Sequence, residues 1–462
     1  MPDRLVSPAT CLGCGCTCDD IALVIRDERI VEAQQACAVG VEWFGDGSAP
    51  SNVVVDGREA SMDQALNAIA ELVTRSKRAL VYLAPDVTCE AQRLVVALAD
   101  ASRAMLDTIT SAAASSSILA AQAMGRAGAT LGEVRNAADV VVFWGVDPSD
   151  RYPRFRSRYA PDAKGVYVPE GRESRTVIAV DIDDARGPVD ADLRVALERR
   201  DEVATLSVLA AIATRMKAAP TLEEIASVVA ATTAARNGQT AAAWDVARQL
   251  APLVAQARYA VFVVDAESSD AGSDRADALI RMTQTFNGPT RCALVTLRDG
   301  GNRTGADAVL TSQTGYPMAI DFAHGYPRYL PYDDAAARLA RGEVDAALVI
   351  GSAAHVPADV LTSMSSVTHA VIGPRATESP LARGVAAIDT GIAGIHDDGT
   401  ALRLDDVPLP LRGALKGPPS AADVIQTLLA RVMQTAARKG AHYGSAAASR
   451  NAAPSGSRTR GA

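Results

Sequence analysis

Five of the seven cysteines in this 462-residue chain fall between Cys11 and Cys37. Four of them crowd one short stretch, Cys11-Leu-Gly-Cys14-Gly-Cys16-Thr-Cys18-Asp-Asp. Cys11, Cys14, Cys18 and Cys37 together give C-x2-C-x3-C-x18-C. Four thiolates suit a [4Fe-4S] cluster. Three would come from one tight loop, which Gly13 and Gly15 allow to curl; Cys37 must return from further along. Other occupants remain open at this point. Four thiolates also suit a tetrahedral zinc ion, although C-x2-C sharing its second cysteine with C-x3-C is unusual for zinc. Cys11 and Cys14 could form a redox pair, although no strand precedes them. The thiols could also be reduced and simply buried. Cys89 and Cys292 sit in apolar helix and strand patterns and are expected in the core.

Other reactive side chains are sparse. His324, His355, His369, His396 and His442 show no ligand-pair spacing. A local hydrogen-bonding role is expected for His324. Asp19-Asp20 are expected to be caps or solvated groups. There is no nucleophile elbow and no phosphate loop.

The positioning elements alternate. Ile21–Ile25 and 29–32 flank Asp27-Glu28, a hairpin pattern. Apolar periodicity predicts a helix from Ala60 to Arg75, then a buried strand over 79–84 and a helix over 90–101. Further strand-like runs stand at 140–144, 177–180, 260–264, 292–297, 346–350 and 370–372, with helical stretches such as 202–216 and 244–256 between them. Such alternation predicts parallel sheets covered on both faces. The expected units are a cysteine domain over 1–50, an α/β domain over 51–185 with 340–390, a second over 186–335, a C-terminal segment over 391–433, and a disordered tail over 434–462. Residues 218–238 suit a helix or a connection. The tail carries Arg438, Lys439, Arg450, Arg458 and Arg460 and no acidic residue.

Composition excludes several classes. Apolar residues make up 48% and aromatics 4%, which suits helices on parallel strands better than an aromatic-rich sandwich. A net charge of −8 is no nucleic-acid footprint. No apolar run reaches the roughly 20 residues that span a bilayer. Met1–Thr10 does not read as a signal peptide, so a cytoplasmic setting is expected.

CLGCGCTCDDI resembles the opening of the catalytic B subunit of formylmethanofuran dehydrogenase, of the molybdopterin oxidoreductase superfamily. The likeness continues through Thr130–Asp139 with VVVFWGVDP, through LTSQTGYPMAIDFAHGYPRY at 310–329, and through GTALRLDDVP at 399–408. It covers roughly residues 8–425. It implies a formate-dehydrogenase-like α/β multidomain fold, and a [4Fe-4S] cluster on the four cysteines beside a tungsten or molybdenum bis-pterin centre. Gly145-Val-Asp-Pro148 and Gly351-Ser352 each follow a strand, where ligands of open α/β sheets bind; as bare sequence they are ordinary turns.

The chain departs from that pattern where the chemistry is done. The resemblance calls for a metal-bound cysteine followed by a histidine. Ungapped counting from Asp107 puts Ala113 and Ala114 there, and no cysteine lies between Cys89 and Cys292. Alanine offers neither a lone pair nor a proton. A second patch, R-G-H-Y-N-like in the family, is Arg298-Asp-Gly-Gly-Asn302, with Gly300 for the histidine and Arg298 retained. Two expectations follow. In the first, the pterin centre is absent and the chain is the non-redox, structural B subunit of a formyltransferase/hydrolase complex. The resemblance then implies a zinc-type hydrolase A subunit, a C subunit and a formyltransferase D subunit as partners in one-carbon oxidation. In the second, it is an active tungsten or molybdenum oxidoreductase in which Ser111, Ser115, Ser116 or Ser117, water or sulfide replaces the cysteine.

Overall fold

The computed structural model describes residues 3–234, 240–267 and 272–435. The hairpin forms from strands Ile21–Arg26 and Arg29–Gln34, turning through Asp27 and Glu28, both at positive φ. Arg4–Ala9 adds a third antiparallel strand. The first fifty residues also hold a helix, Ala38–Phe44, which no periodicity announced because it is only seven residues long.

Two larger sheets follow. One has five parallel strands, ordered Leu193–Leu197, Thr176–Ile182, Val140–Trp144, Tyr259–Asp265 and Arg291–Leu297. The other has nine strands. Its parallel centre runs Met105–Thr108, Ala79–Leu83, Ala346–Ile350, Thr368–Gly373 and Ala386–Asp389. Short antiparallel strands close both of its edges.

The domain expectation differs from this arrangement. Val140–Trp144 and Thr176–Ile182, expected with the 51–185 unit, pair instead with Tyr259–Asp265 and its neighbours. Ile320–Asp321, expected with the second unit, pairs with Met105–Thr108. A strand buried on both faces is a plain apolar run, and such a run does not encode which sheet it joins. The chain leaves the nine-stranded sheet after residue 108, builds the five-stranded one, and returns near 320. Residues 218–238 include helix Leu222–Ala234. A final helix covers 421–435. The expected tail, past residue 435, lies outside the described residues.

Strand periodicity explains the layering. On Val140–Trp144, side chains 140, 142 and 144 face the helices Arg199–Thr214, Ala241–Gln256 and Ser273–Phe286. Val141 and Phe143 face the other way, onto Phe155, Tyr159 and the cysteine loop. The cysteines are thus part of one wall of the five-stranded sheet. The nine-stranded sheet is covered likewise, by helices Met62–Arg75, Cys89–Ser102 and 421–435 on one face and by Ala358–Ser365 and Ala335–Ala340 on the other.

Candidate functional site

The cysteine loop closes on itself. The Cys11 amide donates to the Cys18 carbonyl at 2.9 Å and the Thr17 amide to that of Cys14 at 3.1 Å. Cys11, Cys14, Cys16 and Cys18 are buried; Cys37, capping helix Ala38–Phe44, is partly exposed. Gly40 of that helix lies against the thiols: a Cβ there would stand 3.4 Å from the Cys11 Sγ and 3.9 Å from the Cys37 Sγ. Burial raises the Cys11 thiol, and Cys14, Cys18 and Cys37 each add to the rise through their charge, so all three lie within electrostatic reach of Cys11.

Donors point at the sulfurs. The Gly13 amide lies 3.3 Å from the Cys11 Sγ. Cys14 is held below the usual thiol range by hydrogen bonds from the Cys16 thiol and from the Cys16 and Thr17 amides. Cys16, as donor in that pair and buried, is raised. Burial raises Cys11 and Cys18, although the Arg158 guanidinium works against it at Cys18. Amide donors at converging thiols suit an iron–sulfur cluster, whose potential such donors tune. Among the described residues, no group of three or more His, Cys, Asp or Glu side chains is arranged to hold a metal ion. The residues that would hold a cluster are Cys11, Cys14, Cys18 and Cys37; when bound, it would supply one-electron transfer.

Asp19 and Asp20 are not the solvated caps expected. Asp20 forms a two-pronged pair with Arg154, both contacts 2.6 Å, and Asp19 pairs with Arg158. These pairs pin the loop to the segment after strand Val140–Trp144. The arginines lie more than a hundred residues away, which is why adjacency in sequence gave no hint of them.

A cavity of about 590 Å³ opens beyond the carboxyl ends of Tyr259–Asp265 and Arg291–Leu297, where ligands of such sheets bind. Ala114, Ser117, Gln122, Arg126, Arg298 and Asp307 are among the residues lining it. Ala114 and Arg298 thus reach one site, as the resemblance implied. Ala113 ends helix Ile109–Ala113, and Ala114 is the joint before helix Ser115–Met124. Of the candidate serines, Ser117 lines the cavity, and Ser111 bonds to Asp107.

Arg298 is committed internally. Its Nε donates to Glu267 at 3.1 Å, Nη2 to the Thr110 hydroxyl at 3.0 Å, and Nη1 to Asp307. Thr110 donates to Asp307 at 2.7 Å, and Arg303 donates to Glu267 at 2.5 Å. Burial raises the Asp307 carboxyl although Arg298 pulls it down. Glu267, Asp307 and Thr110 went unnoticed in the sequence, since no motif marks a carboxylate that serves only to neutralise an arginine. Asp107 is enclosed nearby, accepting from the amides of Thr108, Ala319 and Ala335. Burial pushes it up to about 6.

Gly300 meets the cysteine loop directly. A Cβ at 300 would stand 2.5 Å from the Gly13 carbonyl oxygen, and one at Gly15 2.1 Å from that of Arg298. The Gly301 amide donates to the Leu12 carbonyl at 2.8 Å. Asn302 is spent on structure: Nδ2 donates to the Val87 carbonyl at 3.0 Å and Oδ1 accepts from the Leu402 amide at 2.9 Å.

The remaining turns do no visible chemistry. Gly145 packs on Ile182, and Gly351 lies so close to Gly373 that a Cβ on the latter would be 2.2 Å from the Gly351 carbonyl. His324 is exposed, with Tyr326 as its ring neighbour at 6.3 Å rather than a hydrogen-bonding role.

A cysteine loop beside a hairpin, on one of two sheets with parallel centres and with a cavity at the strand ends, defines a mixed α/β fold. The chain is similar to one in the X-ray crystal structure of the formyltransferase/hydrolase complex (FhcABCD) from Methylorubrum extorquens in complex with methylofuran. That match has a TM-score of 0.66 and 23% identity, covering 84% of this chain and 99% of the other. In sequence it is 30% identical over 429 residues to the B subunit of the tungsten-containing formylmethanofuran dehydrogenase 2 of Methanocaldococcus jannaschii, covering 90% of this chain and 95% of that protein. It is 30% identical over 437 residues to the protein of the same name from Methanococcus maripaludis, covering 91% and 97%. No protein-family model matches. The chain belongs to the family of formylmethanofuran dehydrogenase B subunits. Among the described residues, no helix is long and apolar enough to cross a membrane.

Proposed function

We propose that the chain is a non-redox, structural B subunit of a formyltransferase/hydrolase complex. Such a complex moves a formyl group from a tetrahydromethanopterin-type carrier to a methanofuran-type carrier and releases formate. Hydrolase, C and formyltransferase subunits are its partners, and this chain gives the assembly surface and rigidity, not a reacting group.

The observation that carries this reading is the cavity wall. Where the family pattern calls for a thiolate and an imidazole stand Ala113, at the end of helix Ile109–Ala113, and Ala114, which lines the cavity. The retained arginine, Arg298, is neutralised by Glu267 and Asp307 and hydrogen-bonded to Thr110. An arginine so paired brings no net charge to a substrate. A cavity of about 590 Å³ suits one ligand of ordinary size, whereas a bis-pterin dinucleotide centre is far larger. The residues present do not fit that centre.

The test is isolation of the native assembly through a tag on this chain. Expected are co-purifying hydrolase and formyltransferase subunits, formyl transfer that persists without tungsten or molybdenum, and neither metal in stoichiometric amount. Tungsten or molybdenum near one atom per chain would overturn the proposal. Iron and sulfide analysis of anaerobically prepared protein, with Cys14→Ala as the control, decides whether the four cysteines hold a cluster.

A further inference from the structure

One surface, apart from the cavity and bordering the cysteine loop at Asp19, is built to a fixed shape. Residues 163–170 form a loop beside the end of helix Leu131–Ala137. Arg175, almost wholly buried, staples it there through carbonyls alone. Its Nη1 donates to Pro161 at 2.7 Å and Ala163 at 2.6 Å, its Nε to Ala138 at 3.0 Å and its Nη2 to Arg135 at 2.7 Å. Burial, only partly offset by Asp162, pulls Arg175 down to about 10, so the staple is held by geometry at some electrostatic cost. The Tyr167 amide donates to the Asn136 carbonyl at 2.9 Å. Gly165 presses so close that a Cβ would lie 2.2 Å from the Arg135 carbonyl oxygen.

A loop fixed this firmly would be expected to bury its apolar residues. Instead Val166 is 75% exposed and Tyr167 63%. Beside them lies a recess of about 660 Å³ whose charged wall is Arg135, Arg158, Lys164 and Arg403, with Asp19 as its acidic member. Arg158 and Arg403 are partly spent on Asp19 and Asp405, and Lys164 on the exposed Glu170 at 3.1 Å. The Arg135 guanidinium donates to the Lys164 carbonyl at 3.3 Å, a contact that leaves its charge unneutralised. Tyrosine and arginine around an apolar contact are the composition of protein–protein hot spots. A preorganised loop also loses little entropy on docking.

Charge selects the occupant. The chain's own residues 436–462 are cationic and would be repelled. Nucleic acid would meet an overall charge of −8. A protein segment that carries carboxylates beside an apolar side chain is complementary to both halves of the surface.

We propose that this loop and recess are a docking surface for a companion subunit, which seats an acidic segment against Arg135 and Lys164 and packs on Val166 and Tyr167. The proposal rests on the reading of the chain as part of a heteromeric complex. The experiment is zero-length carbodiimide cross-linking of the intact complex, with the joined peptides read by mass spectrometry. It is paired with titration of the full-length chain, wild type, Tyr167→Ala and Lys164→Glu, against the cross-linked companion. Expected are a bond from Lys164 to an Asp or Glu of a companion subunit and about tenfold weaker binding for each variant at an unchanged melting temperature. Recovery of affinity is expected when the bonded carboxylate is replaced by lysine against Lys164→Glu. A complex that assembles while Lys164 joins only Glu170, or a second copy of this chain, and both variants bind as wild type, overturns the surface but leaves the complex reading standing. A chain that isolates without any companion overturns both.

Discussion

The cysteine loop and the cavity touch back to back, yet they are furnished in opposite ways. The loop has donor atoms in abundance: five thiols in 27 residues, with amides aimed at the sulfurs. The cavity has the shape and position of a reaction site but keeps one of its two arginines, Arg298, tied to Glu267 and Asp307. Each contact of the loop doubles as architecture, since its cysteines pack under Val141 and Phe143. The residues expected in the cavity would have had chemistry as their sole task. Groups that also hold the fold are costlier to replace than groups whose only task would be chemistry.

The largest expected effect falls on the cavity. Arg298→Ala leaves the buried Asp307 carboxylate without its cation, Glu267 keeping Arg303, and should cost about 3–5 kcal/mol in urea unfolding. A loss below about 1 kcal/mol would break the contrast, because Arg298 would then be free for a ligand.

Next comes Asp107, set by pH. Its folded pKa of about 6 lies above the unfolded carboxylate value. The protonated form therefore favours folding; that stability is full below pH of about 4 and lost as pH rises through 6. Over that window wild type should lose roughly 3 kcal/mol of stability relative to Asp107→Asn, which does not titrate. A flat difference would mean the carboxylate is ionised throughout.

Gly300→Ala forces a Cβ onto the Gly13 carbonyl. It should cost about 1–3 kcal/mol by overpacking, together with faster alkylation of Cys14 and Cys18. Loss of stability without a change in thiol reactivity would uncouple the two regions. Smallest is Asp20→Asn, in a half-exposed pair with Arg154. About 0–1 kcal/mol is expected by thermal melting, with any gain in thiol reactivity confined to the loop.

Much of the fold was legible. The hairpin at Asp27-Glu28, the helix at Met62–Arg75 and each apolar run from Ala79 to Ile372 stand where periodicity put them. Sheet membership was not, because Val140–Trp144 and Ala79–Leu83 look alike to a two-faced strand pattern. Helix Ala38–Phe44 was too short to register. The position of Ala114 and Arg298 in one site came from resemblance. Glu267 and Asp307 did not, since their role exists only once three segments, around 110, 267 and 298–307, meet. Asp19 and Asp20 were misjudged for the same reason.

The dovetail of Gly300 into the cysteine loop also acts as a lock. The Gly13 carbonyl occupies the space a side chain at 300 would need. For any larger residue to stand there the loop would first have to withdraw, and with it the packing beneath the five-stranded sheet.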